Sequence, residues 1–462
     1  MNSIQSQVDL IREVFHYQSR FDGSTFVIKI DYPVTEDSCF PGLVKDLALL
    51  AKTGFKVVIV PGAKENIDMV LKNHDIDSCN YVNITGGDYA EWADETQVRV
   101  TSSKVISYVE MAAFNVASKF MTFLSGSRVD AVIGNFVRAR GLGVINGTDT
   151  EHTGAVDKIY ADSLTRVLNL GMIPILPCIG WSPSGKPYNV PSDEIALAVS
   201  KALGSDKLFI VCAQSSSAAK ILDIPDNIDI RQDGSLVRMT PHQTDLIIKA
   251  NINKKSDNES AKNKFLKNFK LAYKASQAGV HRVHIIDGRE NGSILKELYS
   301  NLGIGTMIYT DEYDSVRSIH SRDLPDILRL MEPLMLKGIL IRRNPEQIQQ
   351  KKDDYSVLEI DGSIRACGAL HDWGESQGEI AAVATDPNYT DLGLGRRIVG
   401  YLIEKAKKIK MRRVFALTTQ SQDWFESLGF IEARLESLPE QKRVTYDHNR
   451  KSKIFALELK NN

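Results

Sequence analysis

Nothing in the 462-residue sequence supplies a disulfide framework or a zinc site. Its five cysteines, at 39, 79, 178, 212 and 367, are odd in number, scattered, and never spaced as CxxC. A basic excess is also missing: 57 Lys and Arg stand against 58 Asp and Glu, a net charge of −1, which argues against a nucleic-acid binder. No apolar run approaches membrane-spanning length. Asp9, Arg12 and Glu13 interrupt the N-terminal turns, so no signal peptide is expected. A cytoplasmic protein without membrane contact is the expectation. What is present is the make-up of a soluble globular chain, 43% hydrophobic and 25% charged, with length for about three domains.

The stretch from 377 to 400, QGEIAAVATDPNYTDLGLGRRIVG, carries the strongest local signal. A half-buried strand (379–385) is followed by a turn led by Asp386-Pro387, then a glycine-rich bend that opens a helix at Arg396. Gly393 and Gly395 leave backbone N–H groups uncovered at the positive end of that helix, a pocket suited to a diphosphate. No Lys-Ser/Thr pair follows the glycines, which excludes a Walker loop, and a Rossmann reading is weak because no ribose-binding acid follows. Downstream, the strand 414–419 leads to a short helix bearing Trp424-Phe425 that stops at Gly429-Phe430. Glycines serving packing alone would give the same local pattern.

Together these segments resemble the GNAT acetyltransferase superfamily. The resemblance implies a mixed, splayed sheet in which two strands part, the pantetheine arm of acetyl-CoA lies in the gap, and the loop Thr390-Asp391-Leu392-Gly393-Leu394-Gly395 holds the diphosphate. Thr390 departs from the family, which usually has Gln or Arg there; Arg396 and Arg397 are placed to supply the missing charge.

Earlier in the chain, Val8, Ile11 and Phe15 recur at helical spacing, so residues 1–20 are expected to form an N-terminal helix. Apolar strands at 25–30, 56–62, 131–133, 173–177, 208–212 and 281–286 alternate with helical patterns. That rhythm predicts a mostly parallel open sheet covered on both faces, a three-layer αβα domain over 21–310. The charge-rich run 249–277 keeps Phe265, Phe269, Ala272 and Tyr273 at helical spacing, predicting an amphipathic helix with its lysines outward. The α/β domain resembles the amino-acid kinase family, through Phe26-Val-Ile-Lys29, Val57-Val-Ile-Val-Pro-Gly62, Tyr188-Asn-Val-Pro-Ser-Asp193 and the long segment 281–308. Its kinase chemistry reads as damaged. Asp31-Tyr32-Pro33 stands where paired glycines would cradle phosphates, and a carboxylate there repels phosphate while proline removes an amide donor. Asn83 replaces an arginine that would clamp substrate. Lys29 and Asp193 are retained.

Character changes near 309–314, giving an expected linker at 311–315 and a second domain over 316–462. It begins as strand, turn and helix, with Asp323 as N-cap and Pro325 in the first turn. Two segments place arginine near predicted element ends: Gly338-Ile-Leu-Ile-Arg342-Arg343, and Asn449-Arg450-Lys451-Ser452-Lys453. The guanidinium fork suits bidentate capture of a carboxylate, although either segment alone is equally well a solvent-facing basic patch.

The whole architecture resembles the bacterial N-acetylglutamate synthase family, a kinase-like domain fused to a GNAT domain. That resemblance implies acetyl transfer from acetyl-CoA to L-glutamate, with no metal. It implies Glu379 as base and Thr418 as the hydroxyl near the leaving sulfur. Val383, Ala384, Thr385, Gly393, Leu394, Gly395 and Arg396 would bind the co-substrate, and Leu340, Arg342, Ala382, Arg450 and Ser452 the glutamate. It further implies L-arginine as feedback effector in the first domain, at Tyr17, Lys207, Glu297 and Gly303, with unpaired carbonyls near Gly303 taking guanidinium donors, and assembly into homo-oligomers, commonly hexamers. Two other readings stay open from the residues: a synthase that still phosphorylates acetylglutamate, and an arginine sensor without catalysis.

Overall fold

The structure is a computed structural model. It describes residues 11–459 except 12–13, 16–17, 19–20, 77–80, 85–95, 215–217, 226–227, 229, 232, 257, 300–302, 311–313, 361–362, 388 and 390–392. Tyr17 of the expected effector site and Thr390, Asp391 and Leu392 of the diphosphate loop lie outside the described residues. The chain divides into two compact units, Met1–Asp311 and Glu312–Asn462.

In the first unit an eight-stranded sheet runs in the order 238–239, 306–309, 282–287, 207–212, 25–30, 56–61, 173–175, 131–133. Every neighbouring pair is parallel except Arg282–Asp287 with Thr306–Tyr309. The central strand Thr25–Ile30 is buried on both faces, as a parallel strand between two helical layers must be. Successive side chains serve opposite layers. Phe26, Ile28 and Ile30 pack with helices Phe40–Lys52 and Ile106–Gly126. Val27 packs with helices Ser192–Leu203 and Glu259–Gln277. Lys29, wholly buried in this strand, survives there because two carboxylates meet it: Asp31 at 2.5 Å and Asp193 at 2.8 Å.

The helix expected within 249–277 forms over Glu259–Gln277, but its lysines do not all face outward. Lys262 is buried and donates to the Lys254 carbonyl, and Lys267 reaches Asp193 at 2.7 Å. Helical period alone counts a long cationic stem as surface; a backbone carbonyl just before the helix draws Lys262 in, while Lys267 stays exposed and only its ammonium reaches Asp193.

In the second unit, strands β1 (Asp314–Ser318), β2 (Tyr355–Ile360), β3 (Ser363–Asp372), β4 (Gln377–Thr385), β5 (Arg413–Thr418), β6 (Ile431–Ala433) and β7 (Lys453–Glu458) form one sheet in the order β1-β2-β3-β4-β5-β7-β6. Strand β1 starts at Asp314, inside the expected 311–315 linker, because Asp314 and Ser315 already pair with Ile360 and Glu359. Helix α1 (Leu324–Leu336) covers one face and helix α2 (Leu394–Lys408) the other. Asp323 caps as expected by position, but its carboxylate accepts from the His320 N–H and the Arg317 guanidinium rather than from the helix itself.

Candidate active site

Among the described residues, strands β4 and β5 are the only parallel neighbours in the second sheet, and they pair over three residues: Gln377 with Arg413, Gly378 with Val414, Glu379 with Phe415. Beyond Glu379 the two strands separate, so the inner backbone groups of β4 lose their ladder partners. On its other side β4 keeps pairing with β3, but the register shifts between Cys367 and Ala369. Ala382 takes the extra residue of this bulge in the left-handed region, at φ 54°. The bulge also reverses the side-chain alternation. Ile380 packs under α2, whereas Ala382 and Ala384, which an unbroken strand would put on that same face, pack under α1.

Glu379 stands where the strands part and is 6% exposed. Its Oε2 accepts hydrogen bonds from Trp373 Nε1 at 2.8 Å and from Lys442 Nζ at 2.6 Å. His371 lies directly across the ladder from it and bonds Asp354 at 2.6 Å. Thr418 ends β5 and is buried; its Oγ1 accepts from the N–H groups of Gln420 (3.3 Å) and Ser421 (2.9 Å). A hydroxyl has one proton to donate besides its acceptor lone pairs, so both bonds leave the Thr418 proton available.

Helix α2 begins at Leu394, two residues before the expected start, with Gly393 as N-cap at φ 59° and no acidic residue in its first turn. The free N–H groups and the dipole at that end therefore meet no carboxylate from the helix's own first turn. Gly395 serves packing: a Cβ there would stand 3.0 Å from Trp424 Cζ2, on helix α3 (Gln422–Ser427). Arg396 leans the same way, with Nη2 3.5 Å from the Ser427 carbonyl.

The two arginine-bearing segments meet. Arg450 Nη2 donates to the carbonyls of Ile339 and Gly338, while its buried Nε has no hydrogen-bond partner. Leu340 packs in the cluster that contains Ala382. Ser452 is buried, and its carbonyl accepts from Tyr446 Oη at 2.6 Å. Arg342 is exposed and, among the described residues, makes no ion pair. Trp373, Lys442 and Tyr446 were not singled out in the sequence, which carries no local pattern pointing to them. Among the described residues no cluster of His, Cys, Asp and Glu side chains is placed to hold a metal ion.

In the first unit, Glu297 is buried and fully engaged. One oxygen meets His284 Nδ1 at 2.6 Å, and the other accepts from the N–H groups of Ile304 and Gly305. Burial raises the cost of its charge, but these bonds outweigh it and hold the carboxyl below the usual carboxylate range. Lys207 is buried with its ammonium 4.7 Å above the Phe21 ring. The carbonyls near Gly303 are not unpaired, contrary to expectation: Arg231 donates to Gly303 O at 3.0 Å and to Ile304 O at 3.3 Å. An arginine 72 residues away cannot be paired with a turn from sequence spacing. A cavity of about 490 Å³ opens beside that turn, its lining including Phe265, Phe269, Asp287, Arg289 and Gly305. Burial alone would raise the Asp193 carboxyl, but Lys267 and Lys29 hold it well below its ordinary range.

Comparison with known proteins decides the family. The Amino acid kinase family matches residues 25–215, and the Acetyltransferase (GNAT) family matches residues 318–430. The amino-acid acetyltransferase of Escherichia coli K12 is 31% identical over 463 aligned residues, covering 98% of both chains. The chain belongs to the amino-acid acetyltransferase family. Another member, from Vibrio cholerae, is 30% identical over 97% of both chains. The N-acetylglutamate synthase of Neisseria gonorrhoeae, solved with coenzyme A and L-arginine, superposes with a TM-score of 0.78 at 30% identity, covering 98% of this chain and 99% of that one. Its complex with coenzyme A and N-acetylglutamate gives a TM-score of 0.56 at 31% identity, with the same coverage. As a member of the acetyltransferase family the chain is an acyltransferase, built on an amino-acid kinase-like unit and a GNAT unit.

Proposed function

We propose that this enzyme transfers the acetyl group of acetyl-CoA to the α-amine of L-glutamate, the first step of arginine biosynthesis, with L-arginine as feedback effector. The observation that carries the reading is the parting of β4 and β5 at a buried carboxylate, Glu379, in a sheet whose strand β4 leads to a helix with no acidic residue in its first turn. Glutamate's amine arrives as an ammonium and must lose a proton before it can attack. Glu379 takes that proton, through a water. The amine nitrogen then bonds to the thioester carbon while the carbon–sulfur bond breaks, and a backbone N–H near Val383 faces the developing oxyanion. The thiolate leaves toward Thr418, whose hydroxyl hydrogen-bonds the sulfur, and it takes up the second proton that the nitrogen sheds as the amide forms. The acetyl group passes directly in a ternary complex, since β4 contains no cysteine to carry it.

Diphosphate binding is assigned to Gly393, Leu394 and Gly395 with Arg396, and the pantetheine arm to Val383, Ala384 and Thr385. Arg342, Arg450, Ser452, Leu340 and Ala382 form the glutamate site. Its support is the Arg450 contact with the 338–339 carbonyls and the unpartnered Arg450 Nε. Arginine is assigned to the first unit around Lys207, Glu297 and Gly303. A residual acetylglutamate kinase is disfavoured, since Asp31 takes up charge on Lys29 that a phosphate would need. We read the enzyme as cytoplasmic and homo-oligomeric; sedimentation of the full chain tests the second point.

The experiment mixes acetyl-CoA with each amino acid and follows thiol release. Glutamate is expected to stand out, and Arg342→Ala or Arg450→Ala to raise its KM by roughly tenfold or more while leaving that of acetyl-CoA nearly unchanged. A preference for lysine-bearing peptides would reassign the substrate. Equal effects on both KM values would displace the carboxylate clamp.

A further inference from the structure

We propose that Lys442 is a positioning residue for the base, tethering one oxygen of Glu379 so that the other is presented to the substrate amine. This inference rests on the function proposed above. Lys442 is the only buried member of α4 (Glu440–Val444). The residue is 8% exposed, and its ammonium lies 2.6 Å from Glu379 Oε2 and 4.5 Å from the centroid of the Trp373 ring. Trp373 donates its indole N–H to the same oxygen at 2.8 Å. Three side chains, two from the β3–β4 hairpin and one from α4, thus close a triangle: a carboxylate, a cation and an aromatic face, each touching the other two.

The asymmetry of this triangle points to positioning. Both donors converge on Oε2, and among the described residues Oε1 accepts no hydrogen bond. A glutamate held only by its stem samples several rotamers and offers either oxygen. One pinned at Oε2 between an ammonium and an indole offers Oε1 in a single orientation, the kind of preorganisation that makes a proton transfer efficient. A buried ammonium needs a partner, and a buried carboxylate that must await a cationic substrate needs its charge offset meanwhile. The pair meets both needs. The segment that delivers Lys442 goes on to Tyr446, Arg450 and Ser452, so one piece of chain sets both the base and the proposed carboxylate clamp.

The test compares full-length wild type, Lys442→Met, Lys442→Arg, Trp373→Phe and Glu379→Gln by thiol release at varied glutamate and acetyl-CoA. In Lys442→Met, kcat is expected to fall about ten- to hundredfold, with both KM values within about threefold of wild type. Lys442→Arg should recover most of that loss, because a cation returns to Oε2. Trp373→Phe, which removes only the indole donor, should lower kcat several-fold at unchanged KM. It carries the test if Lys442→Met fails to fold, as judged by its melting curve. Retention of kcat within twofold in Lys442→Met, or in Trp373→Phe should the methionine variant not fold, overturns the proposal. So does a tenfold rise in the glutamate KM at unchanged kcat, which would make Lys442 a substrate ligand. Wild-type kcat in Glu379→Gln removes the base and this inference together. A wild type inert to glutamate but active on another amine sinks only the substrate assignment, and the variants are then compared on that amine.

Discussion

Ala382 is the residue on which the site's geometry turns. An L-residue with a Cβ in the left-handed region costs on the order of 1 to 2 kcal/mol, and Ala382 bears that cost at φ 54° where β3 and β4 slip register. Its backbone belongs to the proposed glutamate site, and its conformation brings the next residues of β4 to the opposite face. Ala382→Gly keeps the backbone groups and relieves the strain, so it should raise the melting midpoint and hold kcat within about threefold. Ala382→Val is expected to cost about 2 kcal/mol or more and to lower kcat/KM at least tenfold, since β-branched residues are outliers at positive φ. Thermal melts paired with thiol-release kinetics check both. A valine variant with normal activity would mean that the bulge does not shape the site. Glu379 and Arg450 were legible as candidates because a carboxylate at a strand start and an arginine before a strand are local features. Trp373 and Lys442 were not, since each acquires meaning only through the other.

The connection from β4 to α2 is anchored at both ends. Asp386, 1% exposed, accepts from Arg365 at 2.9 Å, and the Arg365 guanidinium lies 4.4 Å from the centroid of the Tyr389 ring. The Asp386 N–H returns to the Arg365 carbonyl at 2.8 Å, so the chain leaves the sheet in a fixed direction. At the far end, Gly393 supplies the positive φ that starts the helix, and Gly395 makes room for Trp424. The two glycines thus do different work, a distinction that their spacing does not reveal. Gly393→Val should tilt or fray the first turn of α2 and scatter the N–H groups assigned to the diphosphate. The expected outcome is a KM for acetyl-CoA raised roughly tenfold with the glutamate KM little changed. Isothermal titration with coenzyme A measures the same loss without turnover. Unaltered coenzyme A affinity would place the diphosphate elsewhere.

Across the whole molecule, the first unit has kept the scaffold of a kinase while its polar side chains pair with one another: Lys29 with Asp31 and Asp193, Lys267 with Asp193, and His284 with Glu297. If arginine regulates through the Gly303 turn, its guanidinium must compete with Arg231 for the same carbonyls. Arg231→Ala should therefore lower the arginine concentration that half-inhibits thiol release; a higher one would mean that Arg231 props the turn open for the effector. Effector and substrate must also weaken each other reciprocally, which titration of arginine with and without glutamate measures. The two-part organisation, the mostly parallel sheet of the first unit and the glycine bend before α2 were determined by the sequence alone, whereas the splayed sheet was implied only by the family resemblance. Hydrophobic period, turn residues and helix caps act over a few residues, and the order of strands and helices follows from them. Only the tertiary structure decided where β4 and β5 cease to pair, that Arg231 holds the turn at 303, and that Lys442 closes on Glu379 63 residues away. Those contacts depend on strand register and on which distant side chain fills a given space, and neither quantity is encoded in any short stretch of chain.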